Sequence, residues 1–287
     1  MEVDDLVDSA LPAYEAIALE RDASLTWLTL NRPDKLNAMN STLLSELSAA
    51  LDFLAADRQT RVIAIRGAGR AFSAGYDIER SDPEDGPGLD IVDDYDIHAG
   101  FLNRFLAIWD HPKPVIAAVH GYCLAGATQL CVFCDMTVVA EDAVIGLPMM
   151  PTGGGYITPL WVHLVGPKRA KQMSFVPGSR ISGRTASDWG WANYAVPADQ
   201  LTQNVRELAW SMARIPGRTL RMKKLAINRV ADVMGFRATV PMGAETDALL
   251  HYSGAVQDLM TSIQQHGLKE AIARFNRGEN EDPVPEA

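Results

Sequence analysis

Two short stretches of small residues offer the first chemistry to be read. They are Ala71-Phe72-Ser73-Ala74-Gly75-Tyr76-Asp77-Ile78 and Gly121-Tyr122-Cys123-Leu124-Ala125-Gly126-Ala127-Thr128-Gln129-Leu130, and each follows an apolar run of strand type. A turn of small residues that opens a helix leaves backbone N–H groups without carbonyl partners, and the helix dipole adds positive potential there. Two such turns converging on one point would make an oxyanion hole, worth about 2.7–4 kcal/mol per donor where negative charge develops on oxygen. Taken alone, each stretch reads first as a packing device, since glycine and alanine are needed wherever a helix lies close to a sheet. The pair Cys131-Val-Phe-Cys134 is a weaker lead. With three cysteines in all and no second pair, it completes neither a zinc site nor a disulfide framework, and its apolar neighbours predict two buried thiols on one helix face.

The elements that must position these turns follow from periodicity. Tyr14 to Leu19 and Leu25 to Leu30, around the charged turn Glu20-Arg21-Asp22-Ala23, are predicted as a hairpin. In Ser41 to Ala55, Leu43, Leu44, Leu47, Leu51 and Leu54 recur at helical spacing, with Ser41 as the expected cap. Val62 to Arg66 is a short β-type run. Ser81 to Asp94, rich in proline, glycine and acids, reads as a mobile surface loop of functional type. A helix is predicted from Ile97 to Trp109, halted by Pro112 and Pro114; Val115 to Val119 and Met136 to Ala140 read as buried strands on either side of the helix that Gly121 to Cys134 opens. This alternation predicts an α/β core with a parallel element. Beyond Pro167 only helices are expected: Lys168 to Phe175, Thr185 to Gly190, Asp199 to Ile215, Arg218 to Met234, Phe236 to His251 and Gly254 to His266. The division is thus a core over residues 1–200 and a helical region over 201–287, with an acidic tail from Gly278 that frays. No internal sequence repeat or low-complexity tract stands out.

Composition narrows the functional classes. A chain of 287 residues, 47% hydrophobic and 22% charged, has the make-up of a globular protein with a sizeable core. A net charge of -10 argues against a general nucleic-acid surface, which needs lysine and arginine to displace counterions. The acidic start Met1-Glu2-Val3-Asp4-Asp5 leads to no signal-peptide run, and no stretch approaches the ~20 apolar residues of a membrane span, so a cytoplasmic location without membrane partners is expected. A dinucleotide-binding oxidoreductase is disfavoured because no G-x-G-x-x-G opens the first helix.

Further segments give the two turns a context. Leu30-Asn31-Arg32-Pro33-Asp34-Lys35-Leu36-Asn37-Ala38-Met39, Arg70 to Ile78, Lys113-Pro114-Val115-Ile116-Ala117-Ala118-Val119-His120-Gly121-Tyr122, Leu124 to Leu130 and Cys134-Asp135 resemble the crotonase, or enoyl-CoA hydratase/isomerase, family in order and spacing. Val165-Gly166-Pro167-Lys168-Arg169-Ala170, Ser179-Arg180-Ile181-Ser182-Gly183 and Ala195-Val196-Pro197 extend the resemblance, which runs from about Tyr14 to Arg277. It implies a spiral core of repeated ββα units, a helical C-terminal region that makes a homotrimer or dimer of trimers, and an acyl-CoA ligand, with coenzyme A belonging to the substrate and no separate cofactor or metal. Carried over, the amides of Tyr76 and Gly126 hold the thioester oxygen, while Lys35, Leu36, Ala38, Ala74 and Gly75 line the CoA arm. Lys35 is either a phosphate contact or a solvated turn lysine. Arg274 and Arg277 sit where a neighbouring subunit's CoA phosphates would be met.

The resemblance also exposes departures. Hydratases of the family carry two glutamates that manage the protons of a water; here those positions hold Gln129 and Met149. An amide neither accepts nor gives a proton at neutral pH. Gln129 is left to orient a water or a substrate carbonyl, or simply to satisfy backbone, and Met149 to line an apolar acyl pocket. The glycine-rich stretch after Met150, through Pro151-Thr152-Gly153-Gly154-Gly155, is shorter than in the family. Proton-handling candidates bordering the implied acyl pocket are Asp93, Asp94, Asp96 and His98, with Glu245 and Asp247 on a later helix; the bland alternative for each is a solvated face. Trp109, Trp161, Trp189 and Trp191 read as core or as walls of a flat pocket. Three functions stay open: an acyl-CoA enzyme of the enoyl-CoA hydratase/isomerase type working through an enolate-like intermediate, a thioester hydrolase or isomerase on the same site, and a catalytically silent acyl-CoA binder.

Overall fold

The computed structural model describes residues 10–77, 90–150, 153 and 158–279. Strand β1 (Ile17–Asp22) turns back on β2 (Leu25–Leu30) in antiparallel register, so the hairpin is as predicted but its turn is not: Glu20, Arg21 and Asp22 of the expected charged turn pair in the strand with Trp27, Thr26 and Leu25, and the chain reverses at Ala23-Ser24. Helix α1 (Ser41–Ala56) buries Leu43, Leu44, Leu47, Leu51 and Leu54 against the sheet. Its cap is Asn40, not Ser41: the extended backbone of Asn40 lets its side-chain oxygen accept the Leu43 N–H at 3.0 Å.

Three successive passages then repeat one plan. β3 (Val62–Gly67) and β4 (Ala71–Ser73) precede α2 (Ile91–Trp109); β5 (Val115–Val119) and β6 (Tyr122–Leu124) precede α3 (Gly126–Phe133); β7 (Met136–Ala140) and β8 (Val144–Gly146) precede α4 (Thr158–Phe175). The first strand of each pair joins one sheet, ordered β1-β2-β3-β5-β7-β10, and the second joins another, ordered β4-β6-β8-β9. Here β9 is Arg180–Ser182 and β10 is Tyr194–Val196. Pairing is parallel except at β1·β2 and β8·β9. This is the ββα spiral that the resemblance implies. The buried runs of β3 and β5 fit strands covered on both faces.

Several expectations need correction. α2 begins at Ile91 rather than Ile97, because Asp90 and Asp93 form a capping box that starts the helix inside the acidic stretch; residues 81–89 of the expected loop lie outside the described residues. Two strands, β9 and β10, interrupt the region expected to be helical, and α4 starts ahead of Lys168, with a break at Gly166 (φ 75°) before Pro167. After α5 (Gly183–Trp189) come α6 (Leu201–Ala213), α7 (Gly217–Val233), α8 (Phe236–His251), α9 (Gly254–His266) and the unforeseen α10 (Leu268–Asn276). Only Gly278 and Glu279 of the expected frayed tail fall within the described residues, as does none of the first nine residues. Cys123, Cys131 and Cys134 are buried free thiols. Trp161 and Trp191 are core residues with rings 5.4 Å apart. Lys224 on α7 ties the C-terminal helices to the core, donating to Asp135 Oδ2 at 2.7 Å and to the Ile108 carbonyl at 3.0 Å.

At the end of α1, burial favours the neutral form of Asp57, but hydrogen bonds from Thr60, Arg21 and the Gln59 amide outweigh it and hold the carboxyl at about 2. A depressed folded-state pKa stabilises above the ordinary value and is lost as pH falls from about 4 to about 2, here about 2 kcal/mol. Asp57→Asn is therefore expected to lower neutral-pH stability by about 2 kcal/mol and to flatten the acid limb of a urea-denaturation series across that window.

Candidate active site

The site starts from Asn37, buried with φ 55°. Its side-chain amide donates to the carbonyls of Ala68 and Ala71 (both 2.8 Å) and Phe72 (3.2 Å), while its oxygen accepts the Arg32 N–H at 2.9 Å. Ser73 Oγ donates to the Asn37 carbonyl (2.8 Å) and accepts the Gly75 N–H (3.1 Å). The strip from Leu36 to Met39 is thereby laid along the first glycine turn: Ala74 N–H donates to Leu36, Met39 N–H to Gly75 and Asp77 N–H to Met39, at 2.9, 2.8 and 3.0 Å. The Gly75 carbonyl and Asp77 N–H thus face Met39, which leaves the Tyr76 N–H on the opposite edge. Arg32 closes the strip, donating to the Ala38 carbonyl and to Asp77 at 2.8 Å. Lys35 is exposed, Leu36 and Ala74 half-buried, Ala38 and Gly75 buried. Asn37→Ala would orphan buried carbonyls on this strip, and a stability loss of about 2–3 kcal/mol by urea denaturation is expected.

The second turn meets the first. Gly126 is the first residue of α3, so its N–H has no carbonyl one turn earlier to bond. Ala125, at φ 49°, donates its own N–H to Gly146 at 2.9 Å and fixes the turn against β8. A Cβ added to Gly75 would stand 3.1 Å from the Gly126 nitrogen and 2.9 Å from the Leu124 oxygen; one added to Gly126 would stand 2.3 Å from the Tyr76 ring. Glycine at both places is what allows the approach, and Gly75 also needs its φ of 102°.

Around this contact, the Tyr76 ring stacks on Phe101 with centroids 5.3 Å apart, and its hydroxyl donates to Gln129 Oε1 at 2.7 Å. Gln129 is fully buried. Met149 is half-buried against the turn at Gly178, where a Cβ would lie 2.8 Å from its sulfur.

Of the acidic candidates, the structure brings Asp94 and His98 together and leaves Asp93, Asp96 and Glu245 exposed, Asp93 being the capping-box partner of Asp90. Asp94 also meets a residue that the sequence did not single out, His251 at the end of α8, with Oδ2 2.8 Å from Nδ1. Burial pushes the Asp94 carboxyl up, but hydrogen bonds from His251 and His98 outweigh it and hold it well below the usual carboxylate range. Asp247, one turn earlier on α8, is buried, and Gly153 lies against both: its added Cβ would stand 2.8 Å from His251 Nε2 and 3.1 Å from Asp247 Oδ1. Gly153 is the one described residue of the stretch from Pro151 to Gly155. Asp94, His98 and His251 place ligand-type atoms within 4.8 Å of one another, yet at 2.8 Å the Asp94–His251 contact is a direct hydrogen bond. Arg277 pairs with Glu270 (3.1 Å) and Glu279 (2.6 Å), and Arg274 lies 3.9 Å from Glu279.

Comparison with known proteins agrees with this geometry. The sequence profile described as enoyl-CoA hydratase/isomerase matches residues 20–266. A crystal structure of an enoyl-CoA hydratase/isomerase from Xanthobacter autotrophicus Py2 superposes with a TM-score of 0.86 at 30% identity, covering 95% of this chain and 100% of that one. A structure from Novosphingobium aromaticivorans DSM 12444, assigned by name to the same class, gives 0.86 at 40% identity over 91% of this chain and 95% of its own. A probable enoyl-CoA hydratase of Rhizobium meliloti (strain 1021) is 33% identical over 231 residues, 77% of this chain and 84% of the relative. With two touching glycine turns on a ββα spiral and a family match over most of its length, the chain belongs to the enoyl-CoA hydratase/isomerase family.

Proposed function

We propose that the protein acts on an acyl-coenzyme A thioester, whose carbonyl oxygen receives the N–H groups of Tyr76 and Gly126 as an enolate-like transition state develops. The approach of the two glycine turns, with the Gly75 Cβ position 3.1 Å from the Gly126 nitrogen, carries this reading. Two amides aimed at a developing oxyanion supply stabilisation that water cannot match without reorganising. Coenzyme A enters with the substrate, its arm along Lys35, Leu36, Ala38 and Ala74. Exposed apolar side chains on the C-terminal helices, Met222, Ile227, Val233 and Leu249 among them, support self-association into a trimer or dimer of trimers.

With Gln129 and Met149 in place of two carboxylates, ordinary hydration lacks its usual proton carriers, and each positioned group is worth about 10²–10⁴-fold. The enzyme reading therefore includes isomerisation and thioester hydrolysis. A second reading, a silent acyl-CoA binder, draws support from the Tyr76–Gln129 hydrogen bond, which engages the amide internally. A panel of acyl- and enoyl-CoA thioesters assayed for both binding and turnover separates them. Turnover of at least one thioester is expected; tight binding with none converted would leave only the binder.

A further inference from the structure

The side chain of Tyr76 runs from one oxyanion donor to the other. It starts at the residue whose own N–H is the first donor, and its ring ends on the second: a Cβ added to Gly126 would stand 2.3, 2.5 and 3.0 Å from the ring carbons Cε2, Cδ2 and Cζ. Two bonds of about 1.5 Å separate that position from the Gly126 nitrogen, so the ring edge lies within about 5 Å of the donor. A carbonyl oxygen that accepts from both amides at about 2.9 Å therefore sits beside this ring, and so do the first carbons of the acyl group attached to it.

Withdrawal of the ring toward α2 and α3 is closed. It stacks on Phe101, with planes 20° apart and centroids 5.3 Å apart, and tilts against Phe105 at 6.4 Å. Phe105 is fully buried and rests in turn on the fully buried Phe133 at 5.9 Å. The hydroxyl is tied at 2.7 Å to Gln129, which is fully buried as well. Turning the ring aside would break that hydrogen bond inside the core and undo the stacking, and pressing it inward would overpack a region already filled. Bulk on the first acyl carbon must therefore fit around the ring where it stands. A straight chain carries only hydrogens on that carbon; a branch adds a methyl group where the space is already taken.

We propose that the Tyr76 ring determines the acyl selectivity of this site: it admits CoA thioesters unbranched at the carbon next to the carbonyl and rejects those branched there. The proposal rests on the acyl-CoA reading above. The test titrates the full chain calorimetrically with isomeric pairs, butanoyl-CoA against isobutanoyl-CoA and pentanoyl-CoA against pivaloyl-CoA; for a thioester that is turned over, kcat/KM supplies the ratio. Isomers offer nearly equal apolar area, so the ratio within a pair isolates shape. In the wild type the straight isomer is expected to bind about tenfold more tightly in the first pair and about a hundredfold in the second. Tyr76→Ala keeps the backbone N–H and removes the ring, and is expected to bring both ratios within about threefold; Tyr76→Leu is expected to lower them at least about threefold. Tyr76→Phe keeps the ring without the hydroxyl and is expected to retain them. A merely structural role would weaken both isomers together and leave the ratios in place. Should the alanine variant fail to fold, the leucine variant decides. Equal affinity for the isomers in the wild type, ratios unmoved when the ring is removed, or ratios lost in Tyr76→Phe overturns the proposal while the thioester reading stands. Failure of every CoA thioester, straight or branched, to bind overturns both.

Discussion

Gly75→Ala is expected to lower turnover of a CoA thioester by about 10²–10³-fold while the fold persists. The added Cβ would fall between the two turns, 2.8 Å from the Ala125 Cβ, 2.9 Å from the Leu124 oxygen and 3.1 Å from the Gly126 nitrogen. To relieve that crowding the turns must separate, and amides that part by even half an ångström no longer share one oxygen. Alanine also resists the φ of 102° at this position, a strain of about 1–3 kcal/mol. Stability measured beside kcat separates the two effects. Undiminished turnover in a folded variant would show that the spacing of the turns does not matter to the chemistry.

Gln129→Glu carries the next largest effect and the opposite sign. The side chain is buried, and its oxygen already accepts the Tyr76 hydroxyl at 2.7 Å, so a carboxyl group placed there inherits a donor. Burial disfavours its charged form and raises its pKa toward neutrality, where a group can both take and give a proton. Hydration of a short enoyl-CoA is expected to rise by about 10²-fold or more, with a rate–pH profile that acquires an ionisation missing from the parent. Unchanged hydration with intact thioester binding would mean that this position does not face the reacting carbons.

How much of this was legible in the chain depends on range. The leucine spacing of α1 and the apolar runs of β2, β3, β5 and β7 are local signals, and the structure follows them. The strands β4, β6, β8 and β9 have three residues each, too few to display alternation, and their sheet exists only because three ββα passages stack side by side. That spatial repeat is not a repeat of residues, so the sequence does not display it. The start of α2 was hidden by composition: Asp90 and Asp93 look like loop acids but work as a capping box.

The site divides along the same line. Gly75 and Gly126 announce themselves by type, and Gln129 by its distance from Gly126. The partnership of Tyr76 with Gln129 spans 53 positions, and that of Asp94 with His251 spans 157. Nothing near His251 in the chain marks it out, because its contact with Asp94 is made only by α8 packing on α2. Asp247 is singled out by type, but its burial beside Gly153 is a product of the fold.

The central claim is tested most directly by a crystal structure of the protein with a non-hydrolysable acyl-CoA analogue bound. The expected result places the carbonyl oxygen about 2.7–3.1 Å from both the Tyr76 and the Gly126 nitrogens. An oxygen bound elsewhere, or touching one of these amides while the other is spent on protein, would contradict the account.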